Sequence, residues 1–288
     1  MTYLKPVRYG RGRTMTSVES HYSRDGLVAA ILDALRAAGK DLSRLSPGDL
    51  APVDAFHIRG REATVELAAR AALGPGLQVL DVGCGLGGSA RYLATEFHCR
   101  VTGIDLTKTY VEAAAELAAL VGLGDMVEFR QCSALELPFA DGSFDIAWTE
   151  HVQMNIADKR PFYRGLTRVL APGGRLVFHD VFRGAAGEPH YPLPWAEDPS
   201  ISFLASAQAV RGILEELGLR IEDWEDTSAR SLQWFLAVAE KTKRAGPAPL
   251  GIHLVMGSTA KAKFANLIRN LQEQRVAVAQ GVARKPAT

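Results

Sequence analysis

The run Val79-Leu80-Asp81-Val82-Gly83-Cys84-Gly85-Leu86-Gly87-Gly88, followed after one helix length by Ile104-Asp105, constrains the fold of this chain more than any other feature. Buried strand, glycine-rich turn, helix, second strand and acidic residue come in the order of the opening unit of a parallel α/β sheet. The glycines let the backbone approach a ligand closely, and a carboxylate after the second strand is placed to accept two hydrogen bonds from a ribose diol. The unit suits an adenosyl ligand.

Gly83, Gly85 and Gly88 also satisfy the GxGxxG dinucleotide pattern, so the turn alone does not choose the ligand. Asp81 discriminates. It lies inside the first strand, where a carboxylate is costly unless a cation or a donor meets it. A dinucleotide brings no cation to that place, whereas S-adenosylmethionine brings an amino group. Phe144-Asp145-Ile146-Ala147-Trp148 reads as a fourth strand, and Leu170-Ala171-Pro172-Gly173-Gly174-Arg175-Leu176-Val177-Phe178 as a turn into a fifth. From the glycine turn to the fifth strand, and more loosely to the C-terminus, the sequence resembles the class I S-adenosylmethionine-dependent methyltransferases. The resemblance implies a Rossmann-like α/β fold, a doubly wound, mostly parallel seven-stranded sheet, with S-adenosylmethionine as cofactor.

A chain of 288 residues holds one large α/β domain with additions or two small domains. Its 33 basic and 32 acidic residues leave no electrostatic footprint for nucleic acid or an anionic membrane, which favours a small-molecule acceptor. Cys84, Cys99 and Cys132 have neither zinc-ligand spacing nor a disulfide pattern. The first residues lack the apolar stretch of a signal peptide, and no apolar run reaches membrane-spanning length. A cytoplasmic enzyme is expected, and a homodimer is compatible with it.

Residues 1–75 read as an N-terminal helical lid and 76–288 as the cofactor-binding core, with a helical insertion at about 229–272 before the last strand. The chain reads as frayed to about Arg13. Leu27, Val28, Ile31, Leu32 and Leu35 recur at helical spacing, a polar connection follows, and a second helix runs through Glu62, Leu67 and Ala71. Core strands are expected to end at Asp81 and to run over Arg100–Ile104, Met126–Arg130 and Ser143–Trp148. Phe182 to Ser202, with Pro189, Pro192, Pro194, Trp195 and Pro199, is too long for a simple loop and reads as functional. Arg220–Trp224 reads as the sixth strand, and the alternation of Val276, Val278, Gln280 and Val282 as the seventh.

By the resemblance, Gly83, Gly85 and Gly87 form the turn under the methionine moiety, Asp81 contributes its carboxylate, and Asp105, with Leu106 beside it, holds the ribose hydroxyls. Gln131 to Phe139 resembles the segment that flanks the adenine. Ser133 stands where the family often has an aspartate, so adenine contacts fall to the Ser133 hydroxyl and the Ala134 amide. Glu150 and His151 follow strand four. His151 is either a base for an amine or hydroxyl acceptor or a structural residue beneath the cofactor, and Glu150 either meets the cofactor's amino group or faces solvent. Tyr22 is a cofactor-binding and catalytic lid residue if the likeness to related small-molecule methyltransferases holds, or a core staple if it does not. His57 and Arg59 precede a helix whose N-terminus either suits an anion such as an acceptor's carboxylate or is an ordinary helix entry with a solvated Arg59.

The layout resembles the sarcosine and dimethylglycine N-methyltransferase-like branch, which implies an amine nitrogen as acceptor. An O- or C-methyltransferase of secondary metabolism, or a cofactor-binding module without turnover, remains open on the same scaffold. No metal is expected, because magnesium-dependent methyltransferases need clustered oxygen ligands to orient a catechol-like diol. Activity should therefore persist in excess chelator, and a loss restored by magnesium overturns that expectation.

Overall fold

The computed structural model describes residues 7–9, 13–15, 17–23, 26–246 and 250–287. Within the stretch expected to fray, Val7–Tyr9 pairs antiparallel with Arg13–Met15; residues 1–6 and 10–12 lie outside the described ones. Helices α1 (Ser17–Tyr22), α2 (Leu27–Ala37), α3 (Pro47–Asp54) and α4 (Arg61–Ala68) precede the sheet. The sequence predicts the helix at Leu27 but not α1 or α3. Ser46-Pro47-Gly48-Asp49 carries the signal for α3: Asp49 accepts from the Ser46 backbone N–H at 2.9 Å, and Pro47 supplies a pre-set first residue.

The sheet is built from β1 (Gln78–Val82), β2 (Arg100–Asp105), β3 (Val127–Gln131), β4 (Phe144–Glu150), β5 (Leu170–Arg183), β6 (Arg220–Asp226) and β7 (Val276–Arg284). Their order across the sheet is β3-β2-β1-β4-β5-β7-β6, and all pairs are parallel except those made by β7. Helices α5 (Gly88–Phe97), α6 (Lys108–Leu120), α7 (Lys159–Val169) and α8 (Ala207–Glu216) complete the layers. Leu67, Leu93 and Ala94 pack on Val79, Val101 and Trp148 on one face, and Leu166, Val169 and Leu214 on Leu80, Ala147 and Leu176 on the other. Burial on both faces explains why the central strands read as continuous apolar runs.

Between β6 and β7 the chain forms α9 (Ser228–Ala245), α10 (His253–Met256) and α11 (Ala260–Gln272). Two clusters fasten these additions. Phe235 and Leu267 pack with Leu193 and Trp195 of the proline-rich segment, while Leu250 and Val255 pack with Leu27, Ile31 and Leu35 of α2. Buried Lys263 pairs with Glu197 at 2.6 Å, and Asn270 brackets the His190 backbone through both amide atoms, so the proline-rich segment is pinned to α11. Among the described residues, no helix is long and apolar enough to cross a membrane.

Candidate active site

Strand order reverses between β1 and β4, and parallel register brings their carboxyl ends together with that of β2: Asp81 lies opposite Gly103 and Trp148, and Asp105 opposite Gln131. Ligands bind in open α/β sheets at such a switch point. A cavity of about 340 Å³ opens there, lined by Tyr22, His57, Asp81, Gly83, Gly85, Asp105, Leu106, Ser133, Ala134, Glu150 and His151 among others. The sequence-based site residues thus converge, with two exceptions. Gly87 caps α5 with φ 77° off the cavity wall, where a Cβ would stand 2.6 Å from Phe129; it serves packing. Arg59 is also off the wall, its buried guanidinium held by both oxygens of Glu66 at 2.8 and 2.6 Å. An arginine committed in this way has no fork left for an acceptor's carboxylate.

Asp81 is 3% exposed. Burial, then Glu150 and Asp105 nearby, push its carboxyl well above the ordinary range; the Ala90 backbone N–H opposes this, and Oδ2 has no partner among the described residues. A buried carboxylate oxygen aimed at a cavity and left unpaired costs stability unless a ligand completes it. The ammonium of S-adenosylmethionine fits that vacancy in chemistry and sign. Gly83 (φ +73°) lies under Val152, and a Cβ there would come within 2.4 Å of it. Asp105 accepts from the Thr107 N–H at 2.8 Å and the Gly85 N–H at 3.0 Å, so it fastens the turn while keeping lone pairs for a diol. Burial raises its carboxyl and these backbone bonds restrain the rise. The Ser133 hydroxyl accepts from the Leu135 N–H at 3.2 Å.

Glu150 does not face solvent. Its Oε1 accepts from Thr64 Oγ1 at 3.0 Å and lies 3.2 Å from His57 Nε2, while Oε2 accepts from Trp148 Nε1 at 2.9 Å and from the Ser89 hydroxyl. His179, on β5, completes a cluster that the sequence reading missed; its ring stacks on His151 at 5.1 Å and sits edge-on to His57 at 6.0 Å. The polar pair His179-Asp180 inside an apolar strand was the available signal. His151 adopts φ 55°, a left-handed conformation that side chains pay for and that concentrates at functional sites. Burial first, then His179 and His57, lower its imidazole well below the usual range. His179 is lowered likewise, by burial, then by His57 and Arg59.

Tyr22 ends α1 over the cavity, its hydroxyl donating to Asn155 Oδ1 at 2.9 Å. Burial, then Tyr110 and Asp105, raise its phenol well above the ordinary value, so it stays protonated. Asn155 in turn donates to the Trp195 and Ile201 carbonyls at 3.2 and 3.4 Å, joining α1 to the proline-rich segment. Beneath residues 152–156, Lys159 donates to the carbonyls of Gln153 and Phe203, both at 2.5 Å, and of Ile156. Burial lowers this ammonium to about 8 and raises neighbouring Asp180 to about 7. Lys159 and Asp180 thus brace the loop after β4, part of the cavity wall.

A switch-point cavity with an unpaired buried carboxylate at the end of one strand and a second acidic residue at the end of the next has the chemistry to hold an S-adenosyl ligand. Comparison with known proteins agrees. A family described as "Methyltransferase domain" matches residues 80–178. Methyltransferase GfsG of Streptomyces halstedii is 31% identical over 209 residues, 70% of each chain. The chain belongs to the class I S-adenosylmethionine-dependent methyltransferase family. Probable tocopherol O-methyltransferase of Oryza sativa subsp. japonica is 46% identical over 99 residues, 34% of this chain and only 27% of that protein. The solved [4+2]-cyclase SpnF superposes with a TM-score of 0.65 at 26% identity, over 90% of this chain and 93% of its own. Other relatives are named as O- and N-methyltransferases.

Proposed function

We propose that this protein transfers the methyl group of S-adenosylmethionine to a small-molecule acceptor. The observation that carries the reading is Asp81, a buried carboxylate with one oxygen unpaired among the described residues at the switch point, with Asp105 at the end of the next strand on the same cavity wall. S-adenosylmethionine supplies the chemistry, a methyl group on a sulfonium that is already an activated leaving group. The protein's work is positioning and exclusion of water. Asp81 meets the ammonium, Asp105 the ribose diol with Leu106 alongside, Ser133 and Ala134 the adenine, and Gly83 and Gly85 allow close approach. Tyr22 and α1 cover the site together with Val255 of the insertion.

Away from the strand ends the cavity wall carries Val18, Phe56, Met154, Ile156, Trp195 and Phe203, with His57, His151 and Asn155 as polar groups among them. Arg59, which the sequence offered to an acceptor's carboxylate, is spent on Glu66. These two observations favour an uncharged, largely apolar acceptor with one nucleophilic oxygen or nitrogen over an amino acid of the sarcosine type.

Cofactor binding should be linked to a proton. Burial holds the Asp81 carboxyl up, and an arriving ammonium favours its ionised form, so binding releases a proton and affinity rises with pH. Titration of S-adenosylhomocysteine, whose amino group is the same, should give heats that depend on the buffer's ionisation enthalpy. Asp81→Asn should lose both the dependence and about tenfold or more in affinity, one charge-assisted hydrogen bond. Equal affinity in the variant sinks the ammonium assignment. Methyl transfer is then read with labelled S-adenosylmethionine and 2-naphthol, sarcosine or dimethylglycine as probes. Tight binding of S-adenosylhomocysteine without turnover of any of them favours a non-methylating use of the fold.

A further inference from the structure

We infer that His57, oriented by Glu150, is the group that takes the acceptor's proton during methyl transfer, and that His151 is a hydrogen-bond donor beside it. This rests on the methyl-transfer reading above.

His57 lines the cavity with its side chain 6% exposed. Its Nε2 lies 2.9 Å from the Gly60 carbonyl, 3.0 Å from Thr64 Oγ1 and 3.2 Å from Glu150 Oε1. A carbonyl and a carboxylate only accept, and the Thr64 hydroxyl gives its hydrogen to Glu150, so all three present lone pairs to Nε2. Nε2 therefore carries the ring's hydrogen, and Nδ1 carries the lone pair. The Glu150 carboxylate is itself fixed by Thr64, Ser89 and Trp148. A carboxylate on one nitrogen and a bare second nitrogen is the arrangement in which an imidazole accepts a proton, because the cation formed meets a negative charge already in place.

Of the other two histidines, only His151 is fixed the opposite way. The Ile58 N–H points at His151 Nε2 at 3.5 Å, so its hydrogen belongs on Nδ1. The Ile58 carbonyl accepts from His179 Nε2 at 3.1 Å. Among the described residues neither ring has a carboxylate partner; charging is opposed by burial in both, then by His179 and His57 at His151 and by His57 and Arg59 at His179. The groups that face His57 are Glu150 from β4, His151 beyond it, His179 from β5 and Asp54 from α3, and among them only Glu150 touches its nitrogen. In the step, the acceptor's O–H or N–H bond breaks toward His57 Nδ1 as its heteroatom forms the bond to the methyl carbon. The S–C bond breaks with its electron pair on sulfur, and the imidazolium then gives its proton to water.

The test has two readouts. Nitrogen-15 NMR of histidine-labelled protein with S-adenosylhomocysteine bound, assigned with His57→Asn, should show the Nε2–H form at His57, and Glu150→Gln should mix the two forms. Methyl transfer is measured with 2-naphthol, which brings a proton, and with 2-naphthalenethiolate, which brings none. His57→Asn should slow the naphthol by about a hundredfold or more and the thiolate by no more than about threefold, the span of general-base catalysis. Its affinity for S-adenosylhomocysteine should stay within about threefold of wild type. An Nδ1–H form at His57, equal losses on both probes, or a lost affinity for S-adenosylhomocysteine overturns the assignment. Any of those three outcomes with wild-type turnover intact overturns the assignment alone, whereas a wild type that does not bind S-adenosylhomocysteine, or that binds it and methylates no probe, overturns the methyl-transfer reading and the assignment with it.

Discussion

Asp105→Ala should abolish most of the affinity for S-adenosylhomocysteine and also loosen the turn that receives it. In the proposed function its carboxylate accepts from two ribose hydroxyls, each charge-assisted bond worth about 1.5 to 3 kcal/mol, so at least about a hundredfold in affinity is at stake. The same oxygens already accept from Gly85 and Thr107, so the alanine leaves two backbone N–H groups of the site without their acceptor. Asp105→Asn separates the two effects. Its one carbonyl oxygen can hold a backbone N–H but not also a diol as a charged acceptor, so stability should recover more than affinity. Calorimetric titration and thermal unfolding of both variants check this, and an alanine variant that binds S-adenosylhomocysteine like wild type refutes the ribose assignment.

The sequence was most legible where one residue type had one physical reason to be there. Asp81 inside an apolar strand and Asp105 at the end of the next announced the fold and where its cavity opens, because a buried carboxylate is too costly without a partner. Element boundaries were displaced by tertiary pairing: β4 runs on to Glu150 because that residue pairs with His179 on β5, which turns a residue that local sequence left between site and solvent into a buried anchor. The His57, His151 and His179 cluster was illegible for a different reason. Its members lie 94 and 28 residues apart in sequence and meet only when the α3–α4 connection, the end of β4 and β5 are assembled. Arg59 misled because a helix-entering arginine reads as a free anion receptor, and only the fold brings Glu66, seven residues on, into its fork.

The largest loss of stability is expected from Arg91→Met. Arg91 is 1% exposed, donates to Asp54 Oδ2 at 2.6 Å and to the Leu86 carbonyl at 2.7 Å, and so ties α3 and the glycine turn to α5. Removing it leaves the Asp54 carboxylate, itself 5% exposed, buried without its cation. Breaking such a pair from one side costs about 3 to 5 kcal/mol, on the order of 10 °C in Tm for a chain of this size. The sign with pH follows from Asp54, whose carboxyl burial raises and Arg91 lowers. Without Arg91 the folded protein holds that proton to still higher pH than the unfolded chain does, so stability falls as pH rises through that window. The deficit against wild type should therefore shrink on acidification. Adding Asp54→Asn to Arg91→Met should recover a large part of the loss at pH 8 and little at pH 5, because the neutral amide no longer needs a cation. A deficit that is independent of pH and unrelieved by the second substitution would mean that Arg91 acts through its packing and its bond to the Leu86 carbonyl, and the ion pair would then contribute little to holding the floor of the site.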